Sequence, residues 1–199
     1  MSIYKKPVDQ HALDTLFLEG RSHNSWLETP VADTVLKEIY NLCRMGPTSV
    51  NCSPLRIIYL KSPKEKEKLI PHLAEGNRNK TESAPVVAIL AYDLEFYNHQ
   101  SFLFPHKDTK AMFEGKDNYI YETAFRNGTL QAGYFIMAAR ALGLDCGPMS
   151  GFDPTGVNNT FLKDTSYHVN FLCNIGYGDT DTLYPRAPRF DFDTVCEIR

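Results

Sequence analysis

The sequence lacks most of the features that mark disulfide-bonded, metal-binding, membrane or nucleic-acid-binding proteins. Its five cysteines are scattered without a CxxC pair, so neither a disulfide framework nor a zinc site is indicated, and we expect no metal. No apolar run approaches the roughly 18 residues of a membrane span, so no membrane partner is expected. The formal net charge is −3 without a basic run, which argues against nucleic acid as a partner.

Targeting signals and several common cofactor motifs are also missing. Residues 1–6 lack the apolar core of a signal peptide, and together with scattered, unpaired cysteines this predicts a cytoplasmic protein. No Walker A or HExxH sequence occurs. Gly176-Tyr177-Gly178 suggests a dinucleotide fingerprint, but the third glycine and the following helix are absent. A Rossmann site is therefore not predicted.

The remaining pattern predicts a single domain over residues 1–199 with helices and strands in mixed order. This order is not a clean βαβ alternation, so we predict an α+β fold with a mixed sheet. The predicted elements are a helix capped by Asp9 and ended by Gly20, a helix capped by Asp33, a strand over 55–60, a helix over the 64–68 charge run, a strand over 85–92 covered on both sides, a helix over 119–142, a strand near Leu144, a helix from Asp153-Pro154 and a strand over 168–175.

Three regions of this outline bear on function. The helix over 119–142 is apolar nearly all round from Leu130 onward, which predicts burial inside the domain or between subunits. Residues 99–118 have no clear period and form an excursion that could cover a site. The tail over 178–199 carries three arginines and ends in an apolar strand or arm.

Two loops rich in Gly, Pro and Ser are the strongest signal for a binding site. They cover Gly46–Pro54 and Gly147–Phe152, and an arginine segment, Arg21–Trp26, precedes both. Such loops present backbone N–H groups and short hydroxyls, and a guanidinium binds phosphate through a bidentate fork. Together they predict a planar cofactor with a phosphate, held largely by backbone. Arg186 and Arg189 add positive charge for the same phosphate.

Other interpretations of these residues stay open. Cys52, beside Ser53, is a candidate nucleophile for a hydrolase, although no histidine partner can be named from the sequence. The arginine segment also fits a polar linker between helices. Asn77 and Lys80 are either loop residues in solvent or partners of a flavin ring, where a lysine would stabilise the charge gained on reduction.

The segments, in this order and spacing, resemble the FMN-dependent nitroreductase family, and within it the malonic semialdehyde reductases of the HadB/RutE branch. The resemblance covers the chain almost end to end. The residues that carry it are Arg21–Trp26, Gly46–Pro54, Glu122–Asn127, Ala141–Phe152 and Asn174–Asp179.

This resemblance implies an α-β-α sandwich whose long central helices form a homodimer interface, with two FMN sites built from both chains. Phosphate contacts are implied for the arginine segment and tail, ring and ribitol contacts for the 46–54 loop, pyrimidine-edge contacts for Asn77 and Lys80, and backbone contact to flavin N5 for Ser150 and Gly151. The implied cofactor residues are Arg21, Ser22, His23, Ser25, Pro47, Thr48, Ser49, Asn51, Asn77, Lys80, Pro148, Met149, Ser150, Gly151, Arg186 and Arg189.

The resemblance also implies an activity. NADH or NADPH would reduce FMN, and the oxidant would then take the hydride in a ping-pong cycle. Malonic semialdehyde, reduced to 3-hydroxypropionate in pyrimidine degradation, is the implied substrate, with Arg126 as a candidate partner for its carboxylate. A general nitro or quinone reductase, and a flavin-binding protein with little turnover, are the alternatives. The proton donor and the choice between NADH and NADPH cannot be read from the residues.

Overall fold

The computed structural model describes residues 6–199; most of the N-terminal segment that was inspected for a targeting signal, residues 1–5, lies outside that range. The strands are β1 (Leu55–Leu60), β2 (Val86–Asp93), β3 (Asp145–Met149) and β4 (Tyr167–Gly176). The α-helices are α1 (Gln10–Leu13), α2 (Asp33–Cys43), α3 (Pro63–Leu69), α4 (Glu75–Glu82), α5 (Gln100–Leu103), α6 (Asp117–Ala141), α7 (Pro154–Phe161) and α8 (Phe192–Val195).

The four strands form one sheet in the order β1-β2-β4-β3, and each neighbouring pair is antiparallel. The predicted α+β class is confirmed, but the predicted mixed sheet is wrong for the described strands. Among residues 6–199, parallel pairing is limited to one bridge, between Ser22 and Cys146. The mixed order of helices suggested neighbouring parallel strands, but β2 and β3, which run in the same direction, are separated by the antiparallel β4.

The sheet lies between two helical layers, as predicted. Every residue of β2 is buried, because alternate side chains enter two different cores. Val86, Ala88 and Leu90 pack against α2 and α6, whereas Val87 and Ile89 pack against α3 and α7 on the opposite face. The continuous apolar run of β2 thus reflects a strand covered on both sides.

The two long helices match their predicted positions closely. In α2, Ala32 is the N-cap and Asp33 is the first helical residue, so the cap predicted at Asp33 is one residue off. The apolar face of α2 buries Leu36 and Ile39, but Tyr40 remains half exposed. Helix α6 runs for 25 residues, close to the predicted span. Its Leu130 and Tyr134, like Met45 after α2, leave apolar surface exposed in the single chain.

The 99–118 excursion is packed at its base rather than free along its whole length. Phe113 stacks edge-to-face on Phe96 with ring centroids 4.9 Å apart, and both rings are buried. Buried Gln100 accepts a hydrogen bond from Thr109 at 3.1 Å. Its role as a lid stays a prediction. The tail was predicted to end in an apolar strand or arm; over residues 178–199 it contains the short helix α8 and no strand, and its large apolar side chains are exposed.

Candidate functional site

The arginine segment lies along β3, the edge strand of the sheet. The backbone N–H of His23 donates to the carbonyl of Cys146 at 3.1 Å. At the other end of the segment, the N–H of Leu27 donates to Tyr177 O at 2.8 Å. These bonds fix residues 21–27 against β3 and the end of β4.

Helix α4 and the turn after β3 meet beside this segment. Asn77 Nδ2 donates to Gly151 O at 2.7 Å, and Lys80 Nζ donates to Asn24 Oδ1 at 3.3 Å. A Cβ on Gly151 would lie 2.8 Å from Asn77 Nδ2, so this contact requires glycine. We call residues 21–26, Asn77, Lys80, residues 148–151 and Arg186 the β3-edge site.

Arg186 of the tail joins the site at the arginine segment. Its guanidinium donates to Leu18 O at 2.6 Å and to Gly20 O at 3.2 Å, and Arg21 donates to the carbonyl of Tyr184. These bonds bring the tail around residues 184–186 next to the arginine segment within one chain, whereas a shared anion between the two arginines stays a prediction. Arg189 instead donates to Ala187 and Pro188 carbonyls within the tail.

The charge of this site is uncompensated. Within residues 6–199, Arg21, Lys80 and Arg186 form no ion pair with a carboxylate. Partial burial also lowers the pKa of Lys80, because its ammonium loses water that no carboxylate replaces. Three cations without acidic partners form a site that favours an anion.

The Gly46–Pro54 segment, which we call the α2–β1 loop, has an unusual backbone. Val50, Asn51 and Ser53 have φ values of 45°, 51° and 39°, in the left-handed region. A β-branched residue such as Val50 rarely adopts it, and each such residue costs about 1–3 kcal/mol. Strain of this kind is kept only where the surroundings enforce it, and it is concentrated at functional sites.

Buried amides of α6 enforce this loop conformation. Asn127 Oδ1 accepts from the N–H of Ser49 at 2.9 Å, and Gln131 Oε1 accepts from the N–H of Leu55 at 3.0 Å. The excursion contributes a further acceptor, because Leu103 O receives the amide of Asn51 at 2.7 Å. The loop therefore belongs to the α6 side of the molecule.

The β3-edge site and the α2–β1 loop are separate in the single chain. Among the hydrogen bonds and isolated strand bridges of residues 6–199, none links the two. The predicted site residues therefore form two groups, one carrying charge and the other carrying shaped backbone.

Comparison with known proteins places these features in a family. The sequence profile described as the Nitroreductase family matches residues 20–177, which include the β3 edge and the α2–β1 loop. The chain belongs to the nitroreductase family. This confirms the family-level part of the resemblance described above; the narrower HadB/RutE branch is not distinguished by this match.

Similarity to individual relatives, in sequence and in structure, extends along nearly the whole chain. A predicted NADH dehydrogenase/NAD(P)H nitroreductase of Polynucleobacter asymbioticus is 53% identical over 191 residues, covering 96% of this chain and 97% of its own. A Bacillus subtilis nitroreductase structure superposes with a TM-score of 0.87 at 24% identity, covering 96% and 100% of the two chains. An Exiguobacterium sibiricum structure, solved in complex with FMN, has a TM-score of 0.83 at 19% identity, covering 98% and 99%.

Two residues of the predicted cofactor set need correction, because their side chains are buried. His23 is buried and its ring faces Asp145, so its side chain is not at the surface of the β3-edge site. Met149 is buried in the core against Thr81. Both corrections have one cause: residues in extended backbone alternate between inside and outside, and a Gly/Pro/Ser-rich composition does not reveal which face is inside. The second loop is also shorter than predicted, because β3 continues through Met149.

The structure also locates the two residues proposed for substrate binding and for nucleophilic attack. Arg126 lies on the exposed side of α6 with its side chain 72% exposed, 3.9 Å from Glu122. Cys52 is completely buried, and burial raises the pKa of its thiol to about 11. A neutral, inaccessible thiol disfavours the hydrolase interpretation, because the thiolate is the nucleophile.

Sequence reasoning missed the residues that hold the site residues in place. Asn127 and Gln131 are buried amides four residues apart on one face of α6, and Asp145 connects the arginine segment to the sheet. Polar residues at i and i+4 on an otherwise apolar helix face were the available signal, since buried amides need hydrogen-bond partners.

Proposed function

We propose that this nitroreductase-family chain is an FMN-dependent NAD(P)H oxidoreductase that works as a homodimer. The observation that supports this most directly is the β3-edge site, where Arg21, Lys80 and Arg186 all contact the arginine segment, the residue before it or the tail beside it, and none pairs with a carboxylate in residues 6–199. A relative carries NAD(P)H in its name and a structure of the same fold was solved with FMN, which agrees with this assignment.

The residues present fit a flavin mononucleotide. Arg21 and Arg186, with exposed Ser22, offer guanidinium and hydroxyl donors for its phosphate. Gly151 approaches Asn77 closely and carries no side chain, so backbone and amide groups are available there for a planar ring. Other predicted cofactor residues in or next to the β3-edge site are Ser25, Pro148 and Ser150. Arg189 would join them only if the tail reoriented.

The protein's part in the reaction is to bind, orient and supply charge. FMN, when bound, supplies the hydride acceptor and donor. Lys80 would place positive charge near the pyrimidine edge of a bound flavin, where it would favour the reduced form. The backbone of Ser150 and Gly151 would contact the ring. Solvent is our proposed source of the proton that an aldehyde product needs.

A second copy would complete the site. We infer that Pro47, Thr48, Ser49 and Asn51 of one chain face the β3-edge site of the other. The apolar surface left by Met45, Leu130 and Tyr134 supports this arrangement, since large exposed apolar patches mark interfaces.

Malonic semialdehyde is our proposed substrate, reduced to 3-hydroxypropionate while NAD(P)H is oxidised. Arg126 is the proposed cation for its carboxylate, and its weak pairing with Glu122 leaves it available. A general nitro or quinone reductase is the second candidate, favoured by the nitroreductase names of the relatives.

A cofactor and acceptor assay tests the function. Purified protein should be yellow, bleach with NAD(P)H under nitrogen and regain its colour with an acceptor. A panel of aldehydes, quinones and nitro compounds under NADH and NADPH then ranks the substrates. Arg126→Ala should raise the KM for malonic semialdehyde and spare quinones. Protein that cannot be reconstituted with FMN would refute the proposal, and flavin without turnover would favour the binding-protein alternative.

Subunit complementation tests the two-chain site. Arg21→Ala damages the β3-edge site, and Thr48→Glu puts a negative charge in the α2–β1 loop, so each variant alone should be nearly inactive. After mixing and exchange, half of the dimers are mixed and each regains one intact site, so activity should recover to about a quarter of wild type. No recovery despite confirmed exchange would place both groups in the same chain's site.

A further inference from the structure

His23 lies inside the protein although its neighbours Ser22 and Asn24 are exposed. Its side chain is 3% exposed, and Nε2 lies 3.3 Å from Oδ1 of Asp145. The other ring nitrogen, Nδ1, is buried without a hydrogen-bond partner in the described chain. A buried ring with one polar contact, inside the segment that carries Arg21, needs an explanation.

Two glycines create the space that this residue occupies. A Cβ on Gly178 would lie 1.9 Å from Nδ1 of His23, and a Cβ on Gly147 would lie 2.5 Å from His23 O. Both distances are far inside van der Waals contact. The His23 ring therefore occupies the space that a side chain at position 178 would need, and the His23 carbonyl occupies the space that a side chain at position 147 would need.

Asp145 completes the attachment by bonding in two directions. Its Oδ1 faces His23, and its Oδ2 accepts the N–H of Gly178 at 2.9 Å. The N–H of His23 meanwhile donates to Cys146 O. One carboxylate thus joins the arginine segment, the start of β3 and the chain after β4.

We propose that His23 is a positioning residue: it never touches the anion, and its ring holds Arg21, Ser22 and Ser25 at the spacing that a phosphate needs. This inference rests on the proposed FMN function. Arg21 and Ser22 directly precede His23, so a rotation of the segment about the ring would move them together. The exposed Asn24 that receives Lys80 would move as well.

The geometry also favours one tautomer of the His23 ring. Nε2 lies 3.3 Å from Oδ1 of Asp145 and Nδ1 faces no partner, so a ring with a single proton would carry it on Nε2. Nitrogen-15 NMR of labelled protein without flavin should show a protonated Nε2 and an unprotonated Nδ1. The opposite tautomer would overturn the assigned Asp145 contact.

Flavin selectivity tests the positioning role. FMN and riboflavin differ only in the phosphate, so the ratio of their Kd values, measured by fluorescence quenching, reports on the phosphate contacts. His23→Leu should weaken FMN binding by about tenfold, the effect of one charged hydrogen bond, and change riboflavin binding by less than about threefold. His23→Gln, which keeps a donor towards Asp145, should restore most of the ratio.

Controls separate positioning from general loss of stability. Ile39→Val removes one methyl group from a core residue of α2, outside the β3-edge site, and should leave the FMN/riboflavin ratio of Kd values unchanged. If His23→Leu does not fold, Asp145→Asn, which keeps the size but presents an amide to Gly178, should weaken the preference for FMN over riboflavin in the same direction. Wild-type protein without preference for FMN would defeat the phosphate site and this inference together. A wild-type preference that survives in His23→Leu, or in Asp145→Asn where His23→Leu does not fold, would defeat this inference alone.

Discussion

The β3-edge site and the α2–β1 loop have similar composition but different physical character. The first has no residue in the left-handed region of backbone conformation and carries three cations without carboxylate partners among the described residues. The second has strained backbone at Val50, Asn51 and Ser53, fixed by buried amides of α6. The first region contributes positive charge, and the second contributes an unusual backbone conformation. Segments of similar Gly/Pro/Ser-rich composition can therefore contribute to a binding site in two different ways.

This difference predicts different consequences of mutation. Damage to the charged region should reduce binding of an anion while the fold remains intact, because these cations contribute little to the core. Damage to the strained loop should change the free energy of unfolding as well, because its conformation is enforced by the core.

The largest effect is expected from Arg21→Ala. Two charge-assisted hydrogen bonds to a phosphate are lost, so the Kd for FMN should rise by about 30- to 100-fold with little change in Tm. Isothermal titration calorimetry measures this. Arg199→Ala, which removes the same charge from an exposed tail residue paired with Glu197, is the matched control. An equal rise of the Kd for FMN in both variants would mean that Arg21 acts only through the overall charge of the protein and not through a specific phosphate contact.

Asn127→Leu should act mainly on stability. It leaves the N–H of Ser49 without its acceptor, at a cost of about 1–3 kcal/mol in the free energy of unfolding. Urea denaturation measures the cost, and hydrogen exchange should show the α2–β1 loop opening first. Asn41→Leu, an exposed asparagine on α2, serves for comparison and should change stability much less. Unchanged loop protection in Asn127→Leu would mean that α6 does not enforce the strain.

Ser53→Gly should raise stability by a smaller amount, about 0.5–1 kcal/mol, because glycine accepts a φ of 39° without steric cost. The same substitution at Ser83, where φ is −75° and the hydroxyl donates to Asn79 O, should lower stability. Thermal unfolding of the two variants gives the comparison. A destabilised Ser53→Gly would show that the loop is not strained at this residue.

The smallest effect is expected at the cysteines. Burial keeps Cys52 protonated at neutral pH, since its pKa is raised to about 11, whereas Cys196 is exposed. Iodoacetamide at pH 7.5 should label Cys196 and leave Cys52 unlabelled by mass spectrometry, with turnover unchanged. The Cys52 thiol ionises more readily in the unfolded chain than in the folded one. Its contribution to the free energy of unfolding should therefore decrease only as the pH rises above about 8.5, the ordinary pKa of a thiol. Inactivation that follows labelling of Cys52 would revive a nucleophilic role.

Much of this architecture was predictable because it depends on local patterns. The apolar run of β2, the cap at Asp153 with Pro154 behind it, and the 25-residue α6 all follow from periodicity and capping chemistry. The direction of strand pairing did not follow, because it depends on how connections of several dozen residues close. The inward turn of His23 and the acceptors on α6 also depend on contacts distant in sequence.

The sequence by itself determined the long helices, the strands of the sheet and the loops that could bind an anion, because residue propensity and periodicity act over a few neighbours. The tertiary structure alone decided that Arg186 rather than Arg189 bonds the backbone beside Arg21, that Asp145 contacts His23, and that α6 holds Ser49. These contacts join residues far apart in the chain, and they form because buried polar groups must find partners wherever packing of the core places them.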